Sequence, residues 1–182
     1  MKQFYPGLLI AASTLLLAAS AGAATTDAKA SYEASKDQAT QDYKVAREKC
    51  NSFAGNDKSV CVAEAEAAET RAKDQAEAQY KNTPAATASA RKDIAAADYK
   101  VAKAKCDSKA GNDKDVCIKE AKAARVAAVD DAKADKTVVT ARADAQDDKQ
   151  TADYKVALQK CDSLANTAKD NCIASAKAQY NQ

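Results

Sequence analysis

The chain contains no His and no Trp, and among its 182 residues are only four Gly, two Pro, two Phe and one Met. Without imidazole there is no histidine metal ligand and no histidine general base, so acid–base work would fall to carboxylates. Four glycines do not make a Gly-rich phosphate loop. Large aliphatic residues are sparse after the first twenty positions. At about 25 cal/mol per Å² of buried apolar surface, such a chain cannot build a deep core. Charge of one sign is missing too: 28 Lys and Arg stand against 26 Asp and Glu, a net +2. Balanced charge argues against a nucleic-acid binder, which would need a clustered basic excess. It also removes the high net charge that would make low aliphatic content a sign of disorder.

What is present is alanine, about a quarter of the chain, with Lys, Asp, Glu and Gln making up much of the rest. These are helix formers with few breakers among them, so the chain reads as all-α. Within it one unit is written three times. The first copy is Asp42-Tyr43-Lys44-Val45-Ala46-Arg47-Glu48-Lys49-Cys50, then ten residues, then Cys61. The second runs from Asp98 through Cys106 to Cys117, the third from Asp153 through Cys161 to Cys172, and together they hold all six cysteines.

Between the cysteines stand Gly55-Asn56, Gly111-Asn112 and Asn166-Thr167. Gly and Asn most readily take the left-handed conformation that closes a helix, and Asn and Thr are good N-caps. Each unit therefore reads as helix, tight turn, helix. Eleven residues along one unbroken helix would hold two cysteines about 16 Å apart, beyond bonding reach. Folded back as an antiparallel hairpin, Cys50 meets Cys61, Cys106 meets Cys117, and Cys161 meets Cys172. Positions equidistant from the bend then face each other: Ala46 with Ala65, Tyr43 with Ala68, Ala39 with Ala72. In the second unit Ala102 faces Ala121, Tyr99 faces Ala124 and Ala95 faces Ala128, and in the third Ala157 faces Ala176 but Tyr154 faces Gln179. Each bridge closes a loop of about twelve residues, worth on the order of 2–3 kcal/mol.

The fold expected is an array of three disulfide-stapled antiparallel helical hairpins, coiled-coil-like and elongated, at residues 24–82, 83–136 and 137–182. Residues 26–36 are polar and read as a fraying lead-in to a first helix at about 36–53, and the second helix spans 57–81. Thr83 as N-cap and Pro84 as first helical residue open the third, which runs to about 109. The fourth begins at Asp113. At Thr137-Val138-Val139 the repeat predicts a turn or kink, although the absence of a breaker allows one rod of about fifty residues, some 75 Å long. A helix ending near 164 and a last one from about 168 to 180 complete the array.

Residues 1–23 read as a cleaved export signal. Lys2 is the positive start, an apolar run follows from Gly7, and Ala21-Gly22-Ala23 is the small-x-small site. The run is too short to span a bilayer, which needs about 20 apolar residues, so the mature chain is expected to have no membrane span. Export implies an oxidising compartment where disulfides persist, with a periplasmic location expected and a secreted one the alternative. The ten-residue cysteine spacer, the missing His and the missing Cys-x-x-Cys speak against a metal site, a cofactor or thiol redox chemistry. Glu64, Glu66 and Glu69 beside Arg71 and Lys73 read as solvated helix charge, so the chain is not read as an enzyme.

The Ala-rich, charge-balanced helices resemble in composition the central helical region of TolA-type envelope proteins. Asp-Tyr-Lys-Val-Ala with Cys-x10-Cys resembles uncharacterised exported Ala/Lys-rich helical repeat proteins of proteobacteria. That resemblance implies an exported helical protein and brings no activity. The expected role is structural or protein-interacting in the cell envelope, with an envelope protein or a second copy as partner. A stress-related binder or holdase is the alternative, and thiol or metal buffering a third.

Overall fold

A computed structural model describes the backbone of residues 21–182 and the side chains from residue 26 onward; the charged start and apolar run of the expected export signal lie outside the described residues. The described residues form five α-helices: α1 Ala21–Lys49, α2 Gly55–Lys81, α3 Pro84–Cys106, α4 Gly111–Cys161 and α5 Asn166–Tyr180. A short 3-10 turn, Cys50–Ser52, follows α1. Among the described residues each helix packs only on its neighbours in sequence: α1 on α2, α2 on α3, α3 on α4 and α4 on α5. The fold is thus a row of helices in chain order, and its three cysteine pairs are bonded as the hairpin reading requires, with Cα atoms 5.6–5.7 Å apart.

The interior is made of alanine and cysteine. Among the residues with described side chains, the buried apolar ones are nine alanines and the first cysteine of each pair, with Cys50 and Cys106 fully covered. Alanine at these positions lets the backbones approach closely, and three covalent staples supplement the small apolar area that such contacts bury. The large apolar side chains stay outside: Val45, Val126 and Val156 are each more than half exposed.

Between α2 and α3 the connection behaves as its sequence dictates. Asn82 takes the left-handed conformation at φ 45° and its N–H donates to the Ala78 carbonyl at 2.9 Å. Thr83 Oγ1 accepts from the Ala86 N–H at 3.1 Å, and Pro84 opens α3 where no N–H is needed. Two ion pairs fix the α2–α3 register, Arg71 with Asp98 at 2.6 Å and Lys105 with Glu64 at 2.7 Å. Burial of Ala67 on one helix and Ala97 on the other marks the same seam.

Three expectations are corrected. First, no turn divides residues 111–161; α4 is one helix of 51 residues, about 75 Å along its length. Thr137 does not cap a new helix, because its Oγ1 donates back to the Lys133 carbonyl at 3.0 Å inside a continuous ladder. Valines 138 and 139 lower helix propensity only slightly, and with no Gly, Pro or Asn nearby nothing opposes continuation. Second, the polar stretch at 26–36 is helical as part of α1. Tyr32 anchors it by stacking on Tyr80 of α2, ring centroids 4.7 Å apart and planes within 6°. Third, the arms leading into the bends end sooner than expected, at Cys106 and Cys161 for α3 and α4, and Phe53 is extended and exposed.

Candidate functional site

The bends are the most regular feature of the molecule. Gly55, Gly111 and Asn166 take φ of 56°, 53° and 53°. A Cβ at either glycine would meet nothing within 4 Å. The requirement is therefore purely conformational, and Asn166 meets it with a side chain. The position of this residue differs from the expectation. It does not close the first arm but opens the second, after an extended residue: Ala54, Ala110 or Ala165. Asn56, Asn112 and Thr167 consequently lie inside the second helix and provide no N-cap, and none of the three alanines gives a side-chain cap either.

The first arm is closed by residues the spacing argument passed over. Ser52, Ser108 and Ser163 each donate from Oγ to the carbonyl of the lysine three positions earlier, at 2.8, 2.9 and 2.9 Å. The signal was present in the copies, which read Cys-Asn-Ser, Cys-Asp-Ser and Cys-Asp-Ser. The aspartates then clasp the bend: Lys114 pairs with Asp107 at 2.8 Å and Lys169 with Asp162 at 2.9 Å. Hydrogen bonding from Lys114 lowers the pKa of Asp107 below the usual carboxylate value. In the first bend Asn51 replaces the aspartate and donates instead to Glu48 at 3.2 Å.

Beyond the bend the tyrosines show the register. Tyr99 lies under the guanidinium of Arg125, 5.7 Å from ring centre, and Tyr154 meets Tyr180 with centroids 6.1 Å apart. In both hairpins the ring seven residues before the first cysteine meets the residue eight after the second. The expected partner seven after the second cysteine, Ala124 or Gln179, is one position short, and Ala68 and Ala124 are exposed. The offset follows from the unequal bend, where the first arm gives way to a turn and an extended residue while the second is helical from Gly55, Gly111 or Asn166. The third hairpin differs at its open end. Gln150 stands where the other units bury Ala39 and Ala95, and its Nε2 donates to the Tyr180 carbonyl at 3.1 Å. A glutamine there satisfies a carbonyl that the short α5 leaves without an intrahelical partner.

An open apolar groove of about 820 Å³ lies between the first bend and the end of α3, with Phe53, Val60 and Ala68 on its walls and Lys105 at its rim. A smaller recess of about 320 Å³ sits beside the α2–α3 turn, with Asp74, Glu77 and Asp93 around it. Asp74 Oδ2 is covered and has no hydrogen-bond partner. Burial first, and then the charges of Asp93 and Glu77, raise the Asp74 pKa. Of the glutamates singled out in the sequence, Glu64 pairs with Lys105 across the seam and Glu69 with Lys73 at 2.6 Å along α2, while Glu66 is exposed.

All six cysteines are in disulfides. Among the described residues no three His, Cys, Asp or Glu side chains are grouped to hold a metal ion. Also among them, no helix is long and apolar enough to cross a membrane. The three disulfides fit an oxidising, exported environment. No protein-family model, curated protein or solved structure matches this chain.

Proposed function

We propose that this is a non-enzymatic exported protein of the cell envelope, periplasmic after removal of residues 1–23, that works by presenting helix faces to a protein partner. The observation that carries this reading is the inversion of its apolar residues. The interior is alanine and cystine, while Val45, Val126, Val138, Val139 and Val156 stand 46–57% exposed on helices held in place by disulfides. Valine on the outside of a frame this regular contributes nothing to that frame and offers apolar area to another surface. The cystines leave no thiolate to bind metal or to exchange, which favours this reading over thiol or metal buffering. In-envelope photocrosslinking from positions 45, 126 and 156 tests it: discrete adducts are expected, and a chain that gives none at any of the three, or that turns over a substrate, contradicts it.

The groove beside Phe53 favours one second reading, a binder of exposed apolar segments in stressed proteins. Suppression of a client's aggregation that is lost in Phe53→Ser supports it, and unchanged suppression in that variant counts against it.

A further inference from the structure

The α2–α3 seam is complete, but both of its halves occur a second time in the chain without a partner. On α2 the stripe facing α3 is Val60, Glu64, Ala67, Arg71, Asp74 and Ala78, with Ala67 buried, Val60, Asp74 and Ala78 half-buried, and Glu64 and Arg71 ion-paired to α3. At the same distances from its own cysteine, α4 carries Val116, Glu120, Ala123, Ala127, Asp130 and Ala134, all exposed. On α3 the matching stripe is Ala97, Val101 and Lys105, and in the last part of α4 its equivalents are Ala152, Val156 and Lys160, again exposed. In the first two hairpins, Asn82-Thr83-Pro84 breaks the chain so that α3 folds back on α2. In α4 the same two stripes lie on one unbroken helix and cannot meet each other.

We propose that they meet in a second copy of this chain, with α4 pairing antiparallel to its counterpart about a two-fold axis near residue 140. This is the logic of domain swapping: a hairpin that loses its turn is completed by an identical neighbour. The inference rests on the helix-face reading above and names the partner. Placing Glu120 opposite Lys160 of the second copy, as Glu64 lies opposite Lys105, sets every other pair. Asp131 then stands opposite Lys149 at the edge of the same face, a second pair of opposite charge, each pair occurring twice by symmetry. The charged positions that flank this face, Glu120 and Lys160 with Asp131 and Lys149, are thus complementary when α4 is reversed about its middle. Its exposed apolar residues obey a matching period. Val116, Ala127 and Val138 recur every eleven residues, as do Ala123, Ala134, Ala145 and Val156. Eleven residues make about three turns, the period that holds a continuous stripe on long helices wrapped around one another. Both stripes lie away from α3, which uses Ala132 and the Arg125 and Asp135 positions, and away from α5, which uses Gln150, Tyr154 and Cys161.

Light scattering and sedimentation of the mature chain, disulfides intact, test the proposal. The expected mass is twice that of one chain, dissociating on dilution. Ala134→Glu, a substitution between good helix formers, should give a monomer with unchanged far-ultraviolet circular dichroism. Asp131→Lys and Lys149→Glu should each weaken the dimer about tenfold, and the double variant should recover most of the loss. Val138→Cys, within one turn of the axis, should oxidise to a covalent dimer far faster than Val126→Cys. A chain that is monomeric at every concentration, or a dimer indifferent to these α4 substitutions, overturns the proposal. A monomer that still crosslinks to another envelope protein overturns the dimer while leaving the helix-face reading intact.

Discussion

Tyr32 of α1 stacks face to face on Tyr80 of α2 with ring centroids 4.7 Å apart. The pair lies eighteen residues before Cys50 and nineteen after Cys61, one 11-residue period farther from its bend than Tyr154 and Tyr180 are from theirs. The first hairpin is therefore closed at both ends, by a cystine at the bend and an aromatic clasp at the mouth. Lys36 adds its ammonium over the Tyr32 ring at 4.8 Å. A double-mutant cycle on Tyr32→Ala and Tyr80→Ala should give a coupling of about 0.5–1.5 kcal/mol in chemical denaturation. Hydrogen exchange at residues 26–36 should rise in both single variants, and unchanged exchange would show that the stack does not hold the start of α1.

The bends require a left-handed backbone and no space. Gly111→Asn should be close to neutral, since Asn166 occupies the equivalent position at φ 53°. Gly111→Ala should cost about 1–2 kcal/mol, the penalty of a Cβ in that region, measured by thermal or urea unfolding. Equal losses for Asn and Ala would mean that something other than backbone conformation selects glycine there.

Acid should act on this protein in two opposite directions. Asp74 has a raised pKa, so the folded state takes up its proton at a higher pH than the unfolded chain does. Its contribution to stability improves as pH falls from neutral through that raised value. Asp74→Asn should therefore stabilise the chain at pH 7, with a gain that shrinks toward pH ~4. Asp107, held below the usual value by Lys114, contributes above the unfolded pKa and loses that contribution as pH falls through the folded one. Asp107→Asn should accordingly be mildly destabilising at pH 7 and silent in strong acid. Melting curves across this range for both variants decide it, and a gain for Asp74→Asn that does not depend on pH would contradict the assignment.

Removing one staple should cost about 2–3 kcal/mol. Cys106→Ser with Cys117→Ser is the informative pair, because Asp107 and Lys114 still clasp that bend. Denaturant midpoints should drop while helicity persists, and adding Asp107→Asn should lower them further.

Much of this architecture was legible because the chain repeats itself. Three copies of one cysteine spacing, each with Gly or Asn inside, identified the hairpins, and Thr83-Pro84 identified the connection between two of them. What misled was the assumption of symmetry. The bend is unequal, so Tyr99 and Tyr154 meet the residue one position beyond the Ala124 and Gln179 assigned to them, and Asn56 and Asn112 fall inside helices. The repeat also suggested a turn at Thr137, where the residues themselves oppose none. In that conflict the local sequence prevailed, because a helix continues by default and only a breaker stops it. The serines that close the first arms went unread because an i to i−3 hydroxyl bond leaves no trace in hydrophobic periodicity.

Bridge mapping is the most direct test of the central claim that three local cystines staple three helical hairpins. Mature protein purified from an oxidising compartment would be alkylated without reductant, digested and read by mass spectrometry. The account predicts Cys50–Cys61, Cys106–Cys117 and Cys161–Cys172 with no alkylated thiol; any bridge between units, or a substantial population of free cysteine, would contradict it.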